Sequence, residues 1–287
     1  LFEYVRRGAL LPLDDYFGKT LNLDGFDQSA LDGGMVDGKL YALNIGSNSQ
    51  VGIFNTKMIA DAGIMDFNPI GWTYEDMHEV AKKVTESTPD GVYGTDDLSA
   101  GYVFWEDWTQ QMGKRFYNDD GTVGTTAEIL ADYWRYWEEM RKSGLVADGE
   151  TSVGQINAKM VDTGLITHIS AFSYMWSNQI VGIQALMPEP VGAAMTPKVP
   201  GGTIPGQFIK PSMFMSLTRA TKDAEAATMY MNDWVNNPEE TGILGLERGI
   251  PANPVVRAAL APTFPPPDTV SVDYFNAIQG KLAASPP

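Results

Sequence analysis

The chain has 287 residues, of which 44% are apolar and 20% are charged, and its formal net charge is −16. This composition predicts a folded globular protein rather than a disordered one, and the negative charge argues against binding to nucleic acid, whose phosphates would be repelled. The absence of cysteine excludes disulfides, thiol nucleophiles and thiolate metal sites, and no apolar run is long enough to span a bilayer.

Residues 37–58, in the first fifth of the chain, are the segment that indicates binding most clearly. Asp37-Gly38 is a hairpin-type turn signal, and Lys39–Leu43 predicts a short strand. A polar loop is predicted over Asn44–Gln50 and a second strand over Val51–Asn55. A loop of small and amide-bearing residues offers hydrogen-bond donors and acceptors but no strong acid, base or nucleophile. It therefore suits recognition of a neutral polar ligand.

The following residues are mainly helical by pattern. One helix begins near Thr73 with acids in its first turn, and another covers residues 102–112. The strongest helix spans Thr126–Ser143 and is closed by Gly144 at the expected C-terminal position. A short buried strand is predicted at Leu165–Ile169.

The last third of the chain begins with a change in composition. Residues 187–211 are dense in proline and glycine, which predicts extended chain or a connection between units. A strand over Ser212–Leu217 and a helix ending near Asn236 follow, and Asn237-Pro238 starts another helix. No final packed element is predicted after the proline-rich loop Pro262–Pro267. The alternation of helices and short strands predicts an α/β fold.

Two places suit passage of the chain between lobes, namely the strand at 51–55 and the segment rich in proline and glycine. They predict a discontinuous arrangement. Residues 1–54 and 212–287 form lobe 1, and residues 55–211 form lobe 2. Because the chain opens in the middle of a helical pattern, we expect its N-terminus to be a truncation or a proteolytic remnant.

The sequence contains little that indicates catalysis. His78 and His168 are the only histidines, and no metal-ligand spacing, nucleophile elbow, Walker A loop or dinucleotide fingerprint is present. Glu106 and Asp107 leave open a glycan-active hydrolase or lyase, although adjacent helical residues point in different directions. We therefore predict no enzyme activity, no catalytic residue, no cofactor and no metal.

Aromatic and polar residues occur together in three segments outside clear helical periodicity. These are residues 101–106, Phe172–Asn178 and Asn44–Gln50. Sugars present flat C–H faces to aromatic rings and hydroxyl edges to amides and carboxylates. The three segments are what a cleft for a neutral polyol would need.

Several segments carry a resemblance to one family. They are Asp37–Met58 with its Phe54-Asn55-Thr56-Lys57 ending, Gly71–Asp76, Trp105 followed by Gln110, Gln111 and Gly113, residues 157–176, and Arg248–Ala252. Together they resemble the extracytoplasmic solute-binding proteins of ABC importers, in the sugar-binding cluster that includes maltose-binding protein.

The resemblance implies two α/β lobes of the periplasmic-binding-protein type (class II-like), joined by hinge strands and closing on a ligand. It implies a carbohydrate ligand that is delivered to transmembrane permease subunits. The protein would be a periplasmic or extracytoplasmic monomer that meets the membrane only through the permease or a lipid anchor. Family members normally carry a further β-α-β unit at the start and more helices at the end, so we expect truncation at both ends.

The resemblance also implies the site. The predicted hydrogen-bond partners are Asn48 and Gln50, the stacking surfaces are Tyr102, Trp105, Tyr174 and Trp176, and the further polar contacts are Glu106 and Arg248. The number of rings favours an oligosaccharide. A polyamine, phosphodiester or peptide ligand for the same importer class stays open, because the net charge of the chain does not report on the site.

Overall fold

A computed structural model describes residues 1–26, 28–118, 120–156 and 158–283. Asn157, in the segment that resembles the family, and residues 284–287, in predicted lobe 1, lie outside the described residues. The helices are α1 Phe2–Arg6, α2 Gln28–Asp32, α3 Thr56–Asp61, α4 Tyr74–Ser87, α5 Tyr102–Gln111, α6 Ala127–Lys142, α7 Gly149–Ile156, α8 Gln179–Leu186, α9 Ala224–Asn236, α10 Pro238–Ile243, α11 Pro254–Leu260 and α12 Pro266–Ile278. The strands are β1 Leu10–Leu11, β2 Met35–Val36, β3 Lys39–Leu40, β4 Leu43–Asn55, β5 Phe172–Trp176, β6 Val191–Ala194, β7 Ile209–Met215, β8 Leu217–Thr218 and β9 Ile250–Pro251.

The chain forms two compact units. The first contains Leu1–Asn48 and Ile209–Val272, and the second contains Ser49–Phe208 and the residues from Asp273 onward. The chain thus leaves the first unit in the middle of β4. The lobe assignment made from the sequence, with crossings after residues 54 and 211 and with lobe 1 continuing to residue 287, stays a prediction.

The first unit is built on leucine-rich packing. The beginning of β4 pairs antiparallel with β9, with Ser47 opposite Ile250, and β1 pairs with β8. A buried apolar cluster lies among these elements and α9. Its members are Leu13, Leu21, Leu40, Leu43, Leu217, Met231 and Val235.

The second unit has an antiparallel sheet in the order β5-β4-β6. Its core is unusually aromatic, with ring pairs in edge-to-face and stacked arrangements at 4.7–6.5 Å between centroids. Such pairs add to the free energy of burial. The buried rings are Phe54, Trp72, Tyr74, Trp108, Tyr133, Trp137 and Phe172.

The helices predicted from caps and periodicity are confirmed. Thr73 caps α4 through a capping box with Asp76, and Thr126 caps α6 by accepting a hydrogen bond from the backbone N–H of Ile129. Gly144 follows α6 with φ of +70°, a conformation that favours glycine. Aromatic and apolar residues recur along α6 at the spacing of one buried face, and Tyr133 on that face is buried, whereas Trp134 is 42% exposed.

The predicted polar loop over Asn44–Gln50 is wrong, because these residues belong to the continuous strand β4. Strand pairing explains the difference: β9 pairs with Gly46–Ser47 in the first unit, and β5 pairs with Gln50–Phe54 in the second. Hydrogen bonds within the stretch satisfy some of its buried polar groups. The Asn44 amide, for example, donates to Ser47 Oγ at 3.2 Å and accepts from the Gly46 N–H.

Two further predictions are corrected. Leu165–Ile169 forms turns instead of a strand, and the strand lies at Phe172–Trp176, where β4 offers backbone partners. The chain also has a packed element, α12, after the proline-rich loop. Proline is tolerated in the first helical turn, where its missing N–H would have no partner, and Tyr274, Phe275 and Ile278 are buried.

Candidate functional site

The register of β4 and β5 brings predicted site residues together in the second unit. Gln50 lies opposite Trp176, and Gly52 lies opposite Tyr174. Side chains directly opposite or two positions apart in an antiparallel pair share one face of the sheet. Gln50, Tyr174 and Trp176 therefore line a single face, and only glycine separates Gln50 from Phe54 on that face of β4.

Gly52 makes room for the Tyr174 ring. A Cβ atom at Gly52 would lie 2.9 Å from Cε1 of Tyr174, a distance that real Cβ contacts do not show. Phe104 meets the ring edge-on at 5.6 Å, and Phe172 stacks at 6.5 Å. The Tyr174 ring is thus held against bare backbone as a rigid wall of this face.

The N-terminus of α5 borders the same face. Gly101 is its N-cap, and within the described part of the chain no side chain caps the helix, so first-turn N–H groups are left for other acceptors. Tyr102, the first helical residue, is 64% exposed. The Gln50 amide nitrogen lies 3.5 Å from the carbonyl oxygen of Val103, which places Gln50 under this first turn.

Gln50 carries an unmatched acceptor. The residue is only 3% exposed, and its Oε1 has no hydrogen-bond partner among the described residues. The contact of Nε2 with the Val103 carbonyl assigns the amide orientation. What Oε1 lacks is a donor, and an unpaired buried acceptor costs free energy until one is supplied.

Trp105 and Glu106 occupy the next positions of α5. Trp105 donates from Nε1 to the Ser99 carbonyl at 2.8 Å and meets Trp134 edge-on at 5.7 Å. Its ring is thereby tied to the edge of the aromatic core. Glu106 is half-buried, and burial raises the pKa of its carboxyl.

Asp107, the next residue of α5, is fully buried. Its carboxylate accepts from the Gln111 amide at 3.0 Å and lies 3.3 Å from Thr196 Oγ1. Burial raises the pKa of Asp107 to about 7, against the lowering effect of these two hydrogen bonds. A carboxyl in this position cannot reach a substrate without a rearrangement of its surroundings.

Asn48 and Arg248 lie in the first unit. Asn48 is 5% exposed, and a Cβ atom at Gly249 would lie 2.9 Å from Asn48 Oδ1. Gly249 has φ of +94° and lets the chain after Arg248 pass close to β4. The Arg248 main-chain oxygen accepts a hydrogen bond from Ser212 Oγ. These contacts bring Asn48 and Arg248 into one neighbourhood, while the six other predicted residues belong to the second unit.

Two cavities lie elsewhere. A cavity of about 870 Å³ in the first unit is lined by residues such as Tyr4, Leu10 and Phe214, and one of about 390 Å³ in the second unit is lined by residues such as Trp72 and Lys198. Neither is lined by a predicted ligand contact. In the second unit, Gln50, Tyr174 and Trp176 thus line a face of the sheet rather than either cavity.

The described residues carry neither a metal-binding cluster nor a helix that could cross a membrane. No group of three or more His, Asp or Glu residues there is placed to hold a metal ion. His168 instead lies 3.3 Å from a carboxylate oxygen of Glu189. Within the same ranges, no helix combines the length and the apolar character that crossing a membrane requires.

Comparison with solved structures identifies the type of fold. A structure of an extracellular solute-binding protein family 1 member from Alicyclobacillus acidocaldarius is 28% identical, covering 99% of this chain and 70% of that chain with a TM-score of 0.81. A periplasmic oligogalacturonide-binding protein from Yersinia enterocolitica, in complex with saturated digalacturonic acid, is 21% identical and covers 96% of this chain and 70% of that chain, with a TM-score of 0.79. These neighbours confirm the predicted α/β fold of the periplasmic-binding-protein type.

Sequence comparisons agree with the structural ones. A Brucella abortus protein named as a candidate binding protein is 24% identical over 209 residues, which are 68% of this chain and 49% of that protein. The chain thus spans about half the length of the curated relatives it matches. The model of the bacterial extracellular solute-binding protein family matches residues 1–266. The chain belongs to the family of bacterial extracellular solute-binding proteins.

Proposed function

We propose that the chain contributes the ligand site of a substrate-binding subunit of an ABC importer, and that the ligand is a carbohydrate, specifically an oligosaccharide. Family membership supports solute binding. The observation that carries the carbohydrate proposal is the cross-strand pair Gln50–Trp176, which lies beside the uncapped N-terminus of α5. The pair brings one amide and one indole together, and the amide contacts the first turn of α5.

The hydrogen-bonding groups of this surface match a hydroxyl. Gln50 Oε1 needs a donor, whereas the N–H groups of Tyr102 and Val103, at the start of α5, have no partner within the helix and need an acceptor. A sugar hydroxyl donates and accepts at once, so it can satisfy both. An ionised carboxylate accepts only and would leave Gln50 Oε1 unpaired. At the position next to Gln50, this asymmetry favours a sugar hydroxyl over a carboxylate.

The aromatic groups match the apolar faces of a sugar ring. Trp176 is half-buried and meets Phe208 edge-on at 6.3 Å, and Tyr102 is mostly exposed, so both rings keep accessible surface. Tyr174 provides a rigid wall behind them. Trp105, Glu106, Asn48 and Arg248 stay predicted contacts within this proposal.

The role of the whole protein is likewise part of the proposal. Solute-binding subunits of importers hand their ligand to transmembrane permease subunits, and we propose the same partners for this protein. An extracytoplasmic location and a monomeric state follow from the same family role.

The hydrolase or lyase alternative has less support, because Asp107 is fully buried and only Glu106 retains exposure. A chromogenic glycoside assay separates the two functions. Turnover that Glu106→Gln abolishes would establish an enzyme, whereas saturable binding without turnover would support the binding protein.

A ligand panel tests the proposal directly. Calorimetric titrations would compare neutral oligosaccharides, oligogalacturonides, a polyamine, a phosphodiester and a short peptide. Saturable binding of a neutral oligosaccharide supports the proposal. Binding of only the polyamine, the phosphodiester or the peptide would overturn the carbohydrate assignment but keep the solute-binding function.

A further inference from the structure

Gln207 lies where the chain passes between the two units. The second unit begins at Ser49, and its main segment ends at Phe208. The Gln207 amide nitrogen lies 2.5 Å from Ser49 Oγ, and Ser49 Oγ donates to the Phe208 carbonyl at 2.6 Å. The chain passes between the units at three places, after residues 48, 208 and 272. Hydrogen bonds therefore join the second-unit residues next to the first two of these places.

Gln207 also contacts the residues that follow the third passage between the units. The chain re-enters the second unit at Asp273, and the Tyr274 hydroxyl lies 3.0 Å from the Gln207 amide nitrogen. Tyr274 also donates to the main-chain oxygen of Gln50, which accepts from the Gln207 amide at 2.7 Å as well. The backbone of Gln50, whose side chain lies in the proposed site, is thus held by two buried side chains.

The oxygen of the Gln207 amide is connected to Asp107 through Thr196. Gln207 Oε1 accepts from the Thr196 N–H at 3.0 Å and from Thr196 Oγ1 at 2.9 Å. The same Thr196 hydroxyl oxygen lies 3.3 Å from Asp107 Oδ1. A hydroxyl has a single proton, so it cannot donate to Gln207 and to Asp107 at once.

The direction of donation depends on the state of Asp107. A protonated Asp107 donates to Thr196, and Thr196 then donates to Gln207. An ionised Asp107 draws the Thr196 proton to itself, which leaves Gln207 Oε1 with the backbone N–H alone. Ionisation therefore weakens the support of the amide that holds Gln50.

Among the residues that the structure describes, no opposite charge compensates Asp107. No ion pair within the described ranges involves its carboxylate, and the titratable groups that interact with it are Tyr74, Tyr133 and Tyr274. Burial raises the pKa of each tyrosine, so all three stay neutral near pH 7, and the closest polar neighbours are the side chains of Gln111 and Thr196. With the pKa of Asp107 raised to about 7, both of its states are populated near neutral pH.

We propose that Gln207 is a positioning residue for the ligand site at Gln50, and that Asp107, acting through Thr196, makes this positioning depend on pH. The effect of this positioning on ligand binding rests on the proposed function. The hydrogen bonds from Asp107 through Thr196 and Gln207 to Gln50, called the relay below, can be measured without any ligand.

Amide NMR of the ligand-free protein tests the relay. The backbone N–H of Thr196 reports on Gln207, and the N–H of Val51 follows the carbonyl group of Gln50. Between pH 5 and pH 9 we expect both resonances to shift with a common midpoint near 7. Asp107→Asn, which mimics the protonated state, should abolish the shift, whereas Asp96→Asn, at a buried carboxyl bonded to Ser170 instead, should keep it. A Val51 resonance that does not titrate, or that titrates equally in Asp107→Asn, would overturn the proposal.

A matched pair of glutamine variants tests the positioning. Gln207→Glu keeps the acceptor for Thr196 but loses the donors to Gln50, and we expect amide exchange at Val51 to become at least about tenfold faster. Gln184→Glu makes the same change at an amide that supports Val191 instead, and should leave Val51 unchanged. Equal effects of both variants would contradict the inference. If the NMR titration and the Val51 amide exchange behave as expected but the protein binds no sugar, only the proposed function is refuted.

Discussion

Gln50 on β4 lies directly opposite Trp176 on β5, so an amide and an indole share one face of the sheet in the second unit. The pairing is set by backbone hydrogen bonds, and it leaves Gln50 Oε1 in need of a donor. The proposed binding function depends on this relationship more than on any other in the chain.

Replacing Trp176 should weaken sugar binding. Trp176→Ala removes the stacking surface, and we expect the affinity to fall at least about tenfold, or about 1.4 kcal/mol. Trp234→Ala serves as the control, because Trp234 is also half-buried but lies on α9 in the first unit, where its ring meets Tyr230 at 5.9 Å. Calorimetric titration with one neutral oligosaccharide compares the two variants. Equal losses in both would remove Trp176 from the site.

A side chain at Gly52 should destabilise the second unit. In Gly52→Ala the new Cβ meets the Tyr174 ring at 2.9 Å, and we expect the free energy of unfolding to fall by about 1–3 kcal/mol. Urea unfolding measures the change. In a double-mutant cycle, Tyr174→Leu should recover part of the loss caused by Gly52→Ala. Strictly additive effects would show that the ring does not rest on Gly52.

The elements that the sequence predicts well are those with local determinants. The helix predicted to begin near Thr73, with acids in its first turn, is α4, and its determinants lie within one stretch of chain. The strand character of Asn44–Gln50 depends on partners far away in sequence, β5 and β9, so its polar composition indicated a loop. Pairing over long sequence separations is invisible to local patterns.

The same limit applies to the site. Tyr102, Tyr174 and Trp176 could be singled out as aromatic residues in polar surroundings. Gln207 and Tyr274 could not, because a glutamine in a proline-rich connection and a tyrosine near the end of the chain carry no local signal. Only the tertiary structure brings both to the main-chain oxygen of Gln50.

The α4 cap should contribute measurably to stability. Thr73→Ala removes the hydroxyl that accepts from the Asp76 N–H, and we expect a loss of about 1 kcal/mol in the free energy of unfolding. Thr73→Ser keeps the hydroxyl and should restore most of that loss. If the alanine and serine variants unfold at the same urea concentration, the capping box does not stabilise the fold.

The buried carboxyl of Asp107 should make stability depend on pH. Its pKa is about 7 in the folded protein against an ordinary value of 3.8, so the folded state keeps a proton that the unfolded chain releases. The contribution is fully present below pH 3.8 and is lost as the pH rises through about 7. Asp107→Asn should remove this dependence. The free energy of unfolding of the variant minus that of the wild type should therefore rise with pH by about 2 kcal/mol or more and level off above neutrality.

Asp96→Asn provides the comparison, because burial raises the pKa of Asp96 to about 6. Its effect should therefore level off at a lower pH than that of Asp107→Asn. Urea unfolding at closely spaced pH values separates the two. A stability difference for Asp107→Asn that is constant from pH 4 to pH 8 would refute the assignment of a raised pKa to Asp107.

The central claim is that Gln50 and Trp176 form a site for a neutral sugar, and calorimetry with the wild type and Gln50→Leu tests it most directly. We predict saturable binding of a neutral oligosaccharide by the wild type, weaker binding of the matching uronic acid oligomer, and at least about tenfold loss of neutral-sugar affinity in Gln50→Leu. Unchanged affinity in a folded Gln50→Leu variant, or a preference for the acidic oligomer, would contradict the account.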